Sequence, residues 1–105
     1  MKLLTAEIIK KLERKPLYST DGQKQAEVLV KFFTPWSNWT WYAVEGTKHE
    51  NGDWEFFGLV DGLEMELGYF FLSELQKLQG PGGLRVERDR YFQGTLYKEE
   101  NEVKS

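Results

Sequence analysis

Two dipeptides, Asn51-Gly52 and Asp61-Gly62, stand ten residues apart in the middle of the chain. Both are hairpin-turn signals, because Asn, Asp and Gly tolerate the positive φ angles that tight β-turns demand. The residues around them alternate. Trp39, Trp41 and Ala43 fall on one side of a strand, with Thr40, Tyr42 and Val44 on the other. "WEFFGLV" (54–60) lies between the turns. In "LEMELGYFF" (63–71), Leu63, Met65, Leu67, Tyr69 and Phe71 share one face, while Glu64 and Glu66 occupy the other. An earlier β-rich run, "AEVLVKFF" (26–33), is stopped by Pro35. Strands joined by short turns pair antiparallel. The expectation is a meander of three to four strands.

Helices flank this meander. Thr5 caps a segment in which Leu4, Ile8, Ile9 and Leu12 form an apolar stripe, ended by Lys15-Pro16. Ser73 and Gln76 fit a capping box for a helix over 73–79, with Gly80-Pro81 as its stop. "LRVERDRYF" (84–92) reads equally as short helix or strand. The fold class is therefore α+β: a small single domain over residues 1–97, followed by a polar tail, 98–105, expected to fray. Val30, Phe32, Trp41, Phe56, Leu67, Tyr69 and Leu75 are the expected core.

At 105 residues the chain is one domain in size, and 15% aromatic residues argue against disorder. Without cysteine it forms no disulfide or thiolate metal site. Lys10, Lys11 and Glu13 interrupt the N-terminus too early for a signal peptide, and no apolar run approaches membrane-spanning length. A cytoplasmic protein with no membrane partner is expected. The net charge of −3 is uneven: residues 36–83 carry two Lys/Arg against eight Asp/Glu. That balance disfavours binding along a phosphate backbone and leaves either a solvated sheet face or an acidic surface for a basic partner.

Candidate sites are few. Three of the four tryptophans lie in "TPWSNWTWY" (34–42). Trp39 and Trp41 are expected in the core. Trp36, between Pro35 and the turn-forming Ser37 and Asn38, is expected at a sheet rim, where it could anchor a partner. Its replacement should cost less stability than that of Trp41 and more binding. Arg85, Arg88 and Arg90, with Glu87 and Asp89, follow the "GPGG" loop (80–83); they could hold a phosphate or carboxylate, but ion pairs that fix this segment to the sheet are favoured. Glu64 and Glu66, with Glu55 on a neighbouring strand, could form a carboxylate cluster, though a solvated strand face is favoured. The single histidine, His49, lies in a turn and is a poor mount for a catalytic base.

Four stretches carry a resemblance: "PLYSTDGQ" (16–23), "VKFFTPWSNWTWYAVEG" (30–46), "FFGLVDGLEMELGYFFLSEL" (56–75) and "GPGGLRVERDRYF" (80–92). Over roughly residues 2 to 93 the chain resembles the bacterial family known as domain of unknown function 2958. The resemblance implies a small cytosolic bacterial protein carried near plasmid or integrative-element genes. It implies no activity and supplies no catalytic residue. The expected function is a non-catalytic binding module, with a protein partner favoured over single-stranded nucleic acid. No catalytic residue, cofactor or metal is assigned. The alternative is a small metal- or phosphate-dependent enzyme using Glu55, Glu64, Glu66 and the arginine segment.

Overall fold

The computed structural model describes all of residues 1–105. The Asn51-Gly52 and Asp61-Gly62 turns form as hairpins, joining β3 (Thr40–Lys48), β4 (Trp54–Asp61) and β5 (Met65–Phe71). β2 (Val30–Phe33) pairs with β3, and a two-residue strand, β6 (Glu87–Arg88), pairs with the far side of β2. The result is a five-stranded sheet in the order β5-β4-β3-β2-β6.

A second sheet was not anticipated. β1 (Gln25–Glu27) pairs with β7 (Thr95–Tyr97), which pairs with β8 (Glu102–Lys104). The architecture is α+β with eight strands in two sheets, not a meander of three to four. The run 26–33 is not one strand, because its partner changes midway. Val28 donates its N–H to the Gly94 carbonyl, at 2.9 Å, and Leu29 donates to Ala43, at 2.8 Å. Strict alternation fails there, and Val28, Leu29 and Val30 are all buried. The polar segment 98–105 contains β8, whose Val103 lies opposite Leu96.

α1 (Ala6–Glu13) begins where Thr5 Oγ1 accepts the Ile8 N–H. α2 (Leu72–Lys77) begins differently from expectation: the Glu74 carboxylate accepts the Phe71 N–H at 2.8 Å. Ser73 is instead held by Asp53, which accepts its hydroxyl at 2.6 Å and its N–H at 3.1 Å. Those bonds fasten α2 to the β3–β4 hairpin. They also hold the Asp53 carboxyl below the usual aspartate range, the Ser73 hydroxyl being the main cause.

Each face of the large sheet has its own core. Phe32, Trp41, Ala43, Trp54, Phe56 and Phe70 pack with Leu12 of α1 and Leu75 of α2. Val44 and Leu59, on the opposite face, pack with Ala26 and Leu96 of the small sheet and with Val28 just after β1. Val30, Phe32, Trp41, Phe56 and Leu75 are buried as expected. Tyr69 is not: it is 48% exposed, and Leu67 is only half-buried. The reason is register. Phe70 stands opposite Phe56 and enters the helix-side core, so Leu67 and Tyr69 face the other way. There β5 is an edge strand that the small sheet covers incompletely.

A bulge in β3 sets this arrangement. Ala43 opposes Gly58, but the next opposing pair is Glu45 with Phe57, leaving Val44 as the extra residue. The bulge brings the Tyr42 carbonyl so close to position 58 that a Cβ there would lie 1.7 Å from it, so only glycine fits. Val44 and Glu45 are both buried, and Glu45 is 1% exposed. Its carboxylate accepts the N–H groups of Tyr18 and Thr20, each at 2.8 Å, and the Thr20 hydroxyl. Lys98 Nζ donates to that hydroxyl oxygen at 2.8 Å and to the Thr20 carbonyl at 2.5 Å. Tyr18 takes a φ of +75° to make the turn, strained for a side-chain-bearing residue.

Three outcomes are expected in denaturant unfolding. Phe56→Ala costs about 3–5 kcal/mol, because the ring is enclosed among Phe32, Trp54 and Phe70, whereas Tyr69→Ala costs about 1 kcal/mol or less. Glu45→Ala costs about 3 kcal/mol or more, since the Tyr18 and Thr20 N–H groups and the Thr20 hydroxyl lose their acceptor. Asp53→Asn costs about 1 kcal/mol at neutral pH, the partly exposed carboxylate being screened by water. A lowered native pKa gives stability that is full above the unfolded value of about 4 and fades as pH falls through the native one. The gap between Asp53→Asn and the parent protein therefore closes in acid.

Candidate functional site

The "TPWSNWTWY" stretch leaves β2, turns, and re-enters the sheet as β3. Buried Thr34 organises the turn: its N–H donates to the Trp39 carbonyl at 3.0 Å, and its hydroxyl meets Ser37 Oγ at 2.5 Å and accepts the Trp39 N–H at 3.2 Å. Pro35, Ser37 and Asn38 are thereby held out in solvent, while Trp36 is half-buried.

The tryptophans divide in an unexpected way. Trp41 is core. Trp36 packs against the helix-side core and lies on Gly80, where an added Cβ would sit 2.3 Å from its ring. Trp39 is not core. It is 38% exposed, is tilted against Trp41 with centroids 5.9 Å apart, and rests on Gly62, again 2.3 Å from an ideal Cβ. Beyond it Leu63, in the β4–β5 turn, is 93% exposed. Trp39, Val60 and Leu63 line a shallow depression of ≈ 330 Å³ with Glu64 and Glu66 at its side.

The contact between Trp36 and Gly80 brings the two sequence-expected sites to neighbouring positions, since Gly80 opens the "GPGG" loop. The charged residues after that loop then separate. Arg85 donates to the Gln76 carbonyl at 3.1 Å, on the α2 side. Glu87 and Arg88 form β6, and Arg88 is drawn to the Lys2 carbonyl. Asp89 pairs with Lys31 at 3.3 Å, an ion pair that ties the segment to β2 of the sheet.

Glu55 does not join Glu64 and Glu66. It opposes Phe71 at one end of β4, whereas Glu66 opposes Val60 near the other end and on the opposite face. Glu55 binds His49 Nε2 at 2.8 Å instead. No group of three or more His, Asp or Glu side chains is gathered as a metal site.

Trp39 and Leu63 were missed from the sequence because the face pattern assigned both to apolar strand faces. One local signal existed. Leu63 follows Asp-Gly directly, and the hairpin turn extends through residues 62–64, where the Gly62 N–H meets the Glu64 carbonyl at 3.1 Å. A leucine in such a turn has no sheet face to pack on.

The profile of the family described as "Protein of unknown function (DUF2958)" matches residues 3–98. Neither the curated proteins nor the solved structures include a match to the chain. With the family pattern running through both sheets and both helices, the chain belongs to the DUF2958 family.

Proposed function

We propose that this protein is a non-catalytic binding module whose recognition surface is the tryptophan end of the large sheet. The observation that carries the reading is the exposed Trp39 ring beside an almost fully exposed Leu63. Large apolar side chains grouped at the surface lose free energy to water unless a partner covers them. Trp39 is held on one side by Trp41 and on another by Gly62, so little rotamer freedom remains to be lost on binding. Rigid aromatic anchors of this kind are typical of interface hot spots.

Glu64 and Glu66 beside the depression favour a cationic partner and disfavour a nucleic-acid backbone. The partner class is therefore a protein segment combining Lys or Arg with an apolar anchor. Trp36, Ser37 and Asn38 extend the surface along the adjoining turn. The absence of cysteine and the family resemblance support a bacterial cytoplasmic setting near mobile genetic elements. No helix is long and apolar enough to cross a membrane.

The test is a panel of basic peptides, each carrying one aromatic or aliphatic residue, titrated against tryptophan emission. Binding is expected to weaken by about 2 kcal/mol, roughly thirtyfold, in Trp39→Ala. Glu64→Lys/Glu66→Lys weakens it further at low salt than at high salt. Trp39→Ala should cost far less stability than Trp41→Ala. The reading fails if no peptide binds, or if Trp39→Ala binds as tightly as the parent protein.

A further inference from the structure

A second cleft, of ≈ 460 Å³, opens between α1 and the segment that runs from β6 towards β7. That volume lies within the range of small-ligand sites. Four cations line it: Lys11 from α1, Lys31 from β2, and Arg88 and Arg90. Against them stand two carboxylates, Glu7 and Asp89. The wall is thus +2 in a chain of net −3, which leaves −5 on the rest. Four of the chain's 14 Lys/Arg side chains thus meet at one cavity.

Two of the four cations are engaged internally, Lys31 with Asp89 and Arg88 with the Lys2 carbonyl, and two are not. Lys31 pairs with Asp89, with its ammonium 4.9 Å from the centroid of the Phe92 ring. Lys11 and Arg90 are exposed and enter no ion pair. Asp89 does a second job: its carboxylate accepts the Tyr91 N–H at 3.1 Å, a local turn that sets Arg90 and Tyr91 at the mouth. Tyr91 is 89% exposed. An aromatic ring left in water beside unpaired cations is the arrangement that binds a phosphate and stacks the base attached to it.

We propose that this cleft binds the phosphate of a nucleotide, free or within a single strand, with Lys11 and Arg90 on the phosphate oxygens and the Tyr91 ring against the base. Glu7 selects for the sugar as well. A carboxylate repels a bare polyanion, but accepts hydrogen bonds from ribose hydroxyls. This site is separate from the Trp39 surface, and neither needs the other.

Three probes test it: inorganic phosphate, AMP and a short oligouridylate, which keeps the ribose 2′-hydroxyls, each titrated calorimetrically into the intact protein at low and moderate salt. AMP or the oligonucleotide is expected to bind, more weakly as salt rises. Lys11→Glu with Arg90→Glu should weaken that binding at least about tenfold while the melting temperature stays put, both residues being exposed. Tyr91→Ala should weaken nucleotide binding and leave the response to inorganic phosphate unchanged. Tighter binding of the oligonucleotide than of AMP identifies a strand as the source; equal or weaker binding identifies the free nucleotide. Failure of both AMP and the oligonucleotide to bind, or binding that survives the double charge reversal, overturns the proposal. The Trp39→Ala protein serves as a control and should bind every probe as the parent does.

Discussion

A carboxylate in the interior has to be answered, and the way Glu45 is answered organises much of this molecule. Without the extra residue at Val44, the alternation of β3 would turn Glu45 towards the helix-side core, among phenylalanine rings that offer no hydrogen bond. The bulge rotates it to the other face. There two N–H groups, a hydroxyl and, through that hydroxyl, the Lys98 ammonium meet it. The same shift presents Gly46 to α1, where a Cβ would lie only 2.9 Å from Leu12. One inserted residue thus allows the helix to approach on one side and ties the 18–20 turn down on the other. The left-handed backbone of Tyr18 is tolerated because its N–H is one of the donors to Glu45.

The two surfaces discussed for function lie at places this scaffold leaves unfinished. α2 and the N-terminal residues cover the helix-side face near Phe56 and Phe70, but the end near the β4–β5 turn is closed only by the tryptophans. Those rings lie flat because glycines accept them: Gly80 under Trp36 and Gly62 under Trp39. The cationic cleft arises where the chain leaves β6 for the small sheet, so that charged side chains from three elements converge without a layer above them. Both surfaces are edges of packing, which is where recognition residues can be rigidly based and still reach solvent.

Local features of the sequence were legible because local physics decides them. The two glycine turns, the Thr5 cap, the Lys15-Pro16 stop and the alternation of β3 through β5 all follow from neighbours within a few residues. What escaped depends on distant partners. The division of residues 26–33 between two sheets requires knowledge of Gly94 and Leu96. The choice of Phe70 over Tyr69 for the core turns on the β4–β5 register, which sets Phe70 opposite Phe56, and on how far the small sheet reaches. At the candidate site, Pro35 and the turn residues mark Trp36 as leaving the strand, and its ring is half-buried, yet Trp39 reads as core because a strand pattern records which residues share a face, not where the covering layer ends. The alternating charges of "ERD" point to ion pairs that hold this segment to the sheet, and Asp89 pairs with Lys31 on β2; which strand would supply the partner could not be read locally.

The pairing of residue 25 with residue 97 has a consequence for biosynthesis. A chain made from its N-terminus completes the β2–β5 part of the large sheet before β7 has been added. For that interval Val44, Leu59 and Val28 have no cover on the small-sheet side, and β1 has no strand to join. Closing so long a loop is slow relative to forming the hairpins, which need only adjacent residues. A chain in which only the hairpins and the helices had formed would have its helix-side core in place and its other face bare. Lys98, which follows β7 directly, reaches back to Thr20 and closes the turn around the buried glutamate.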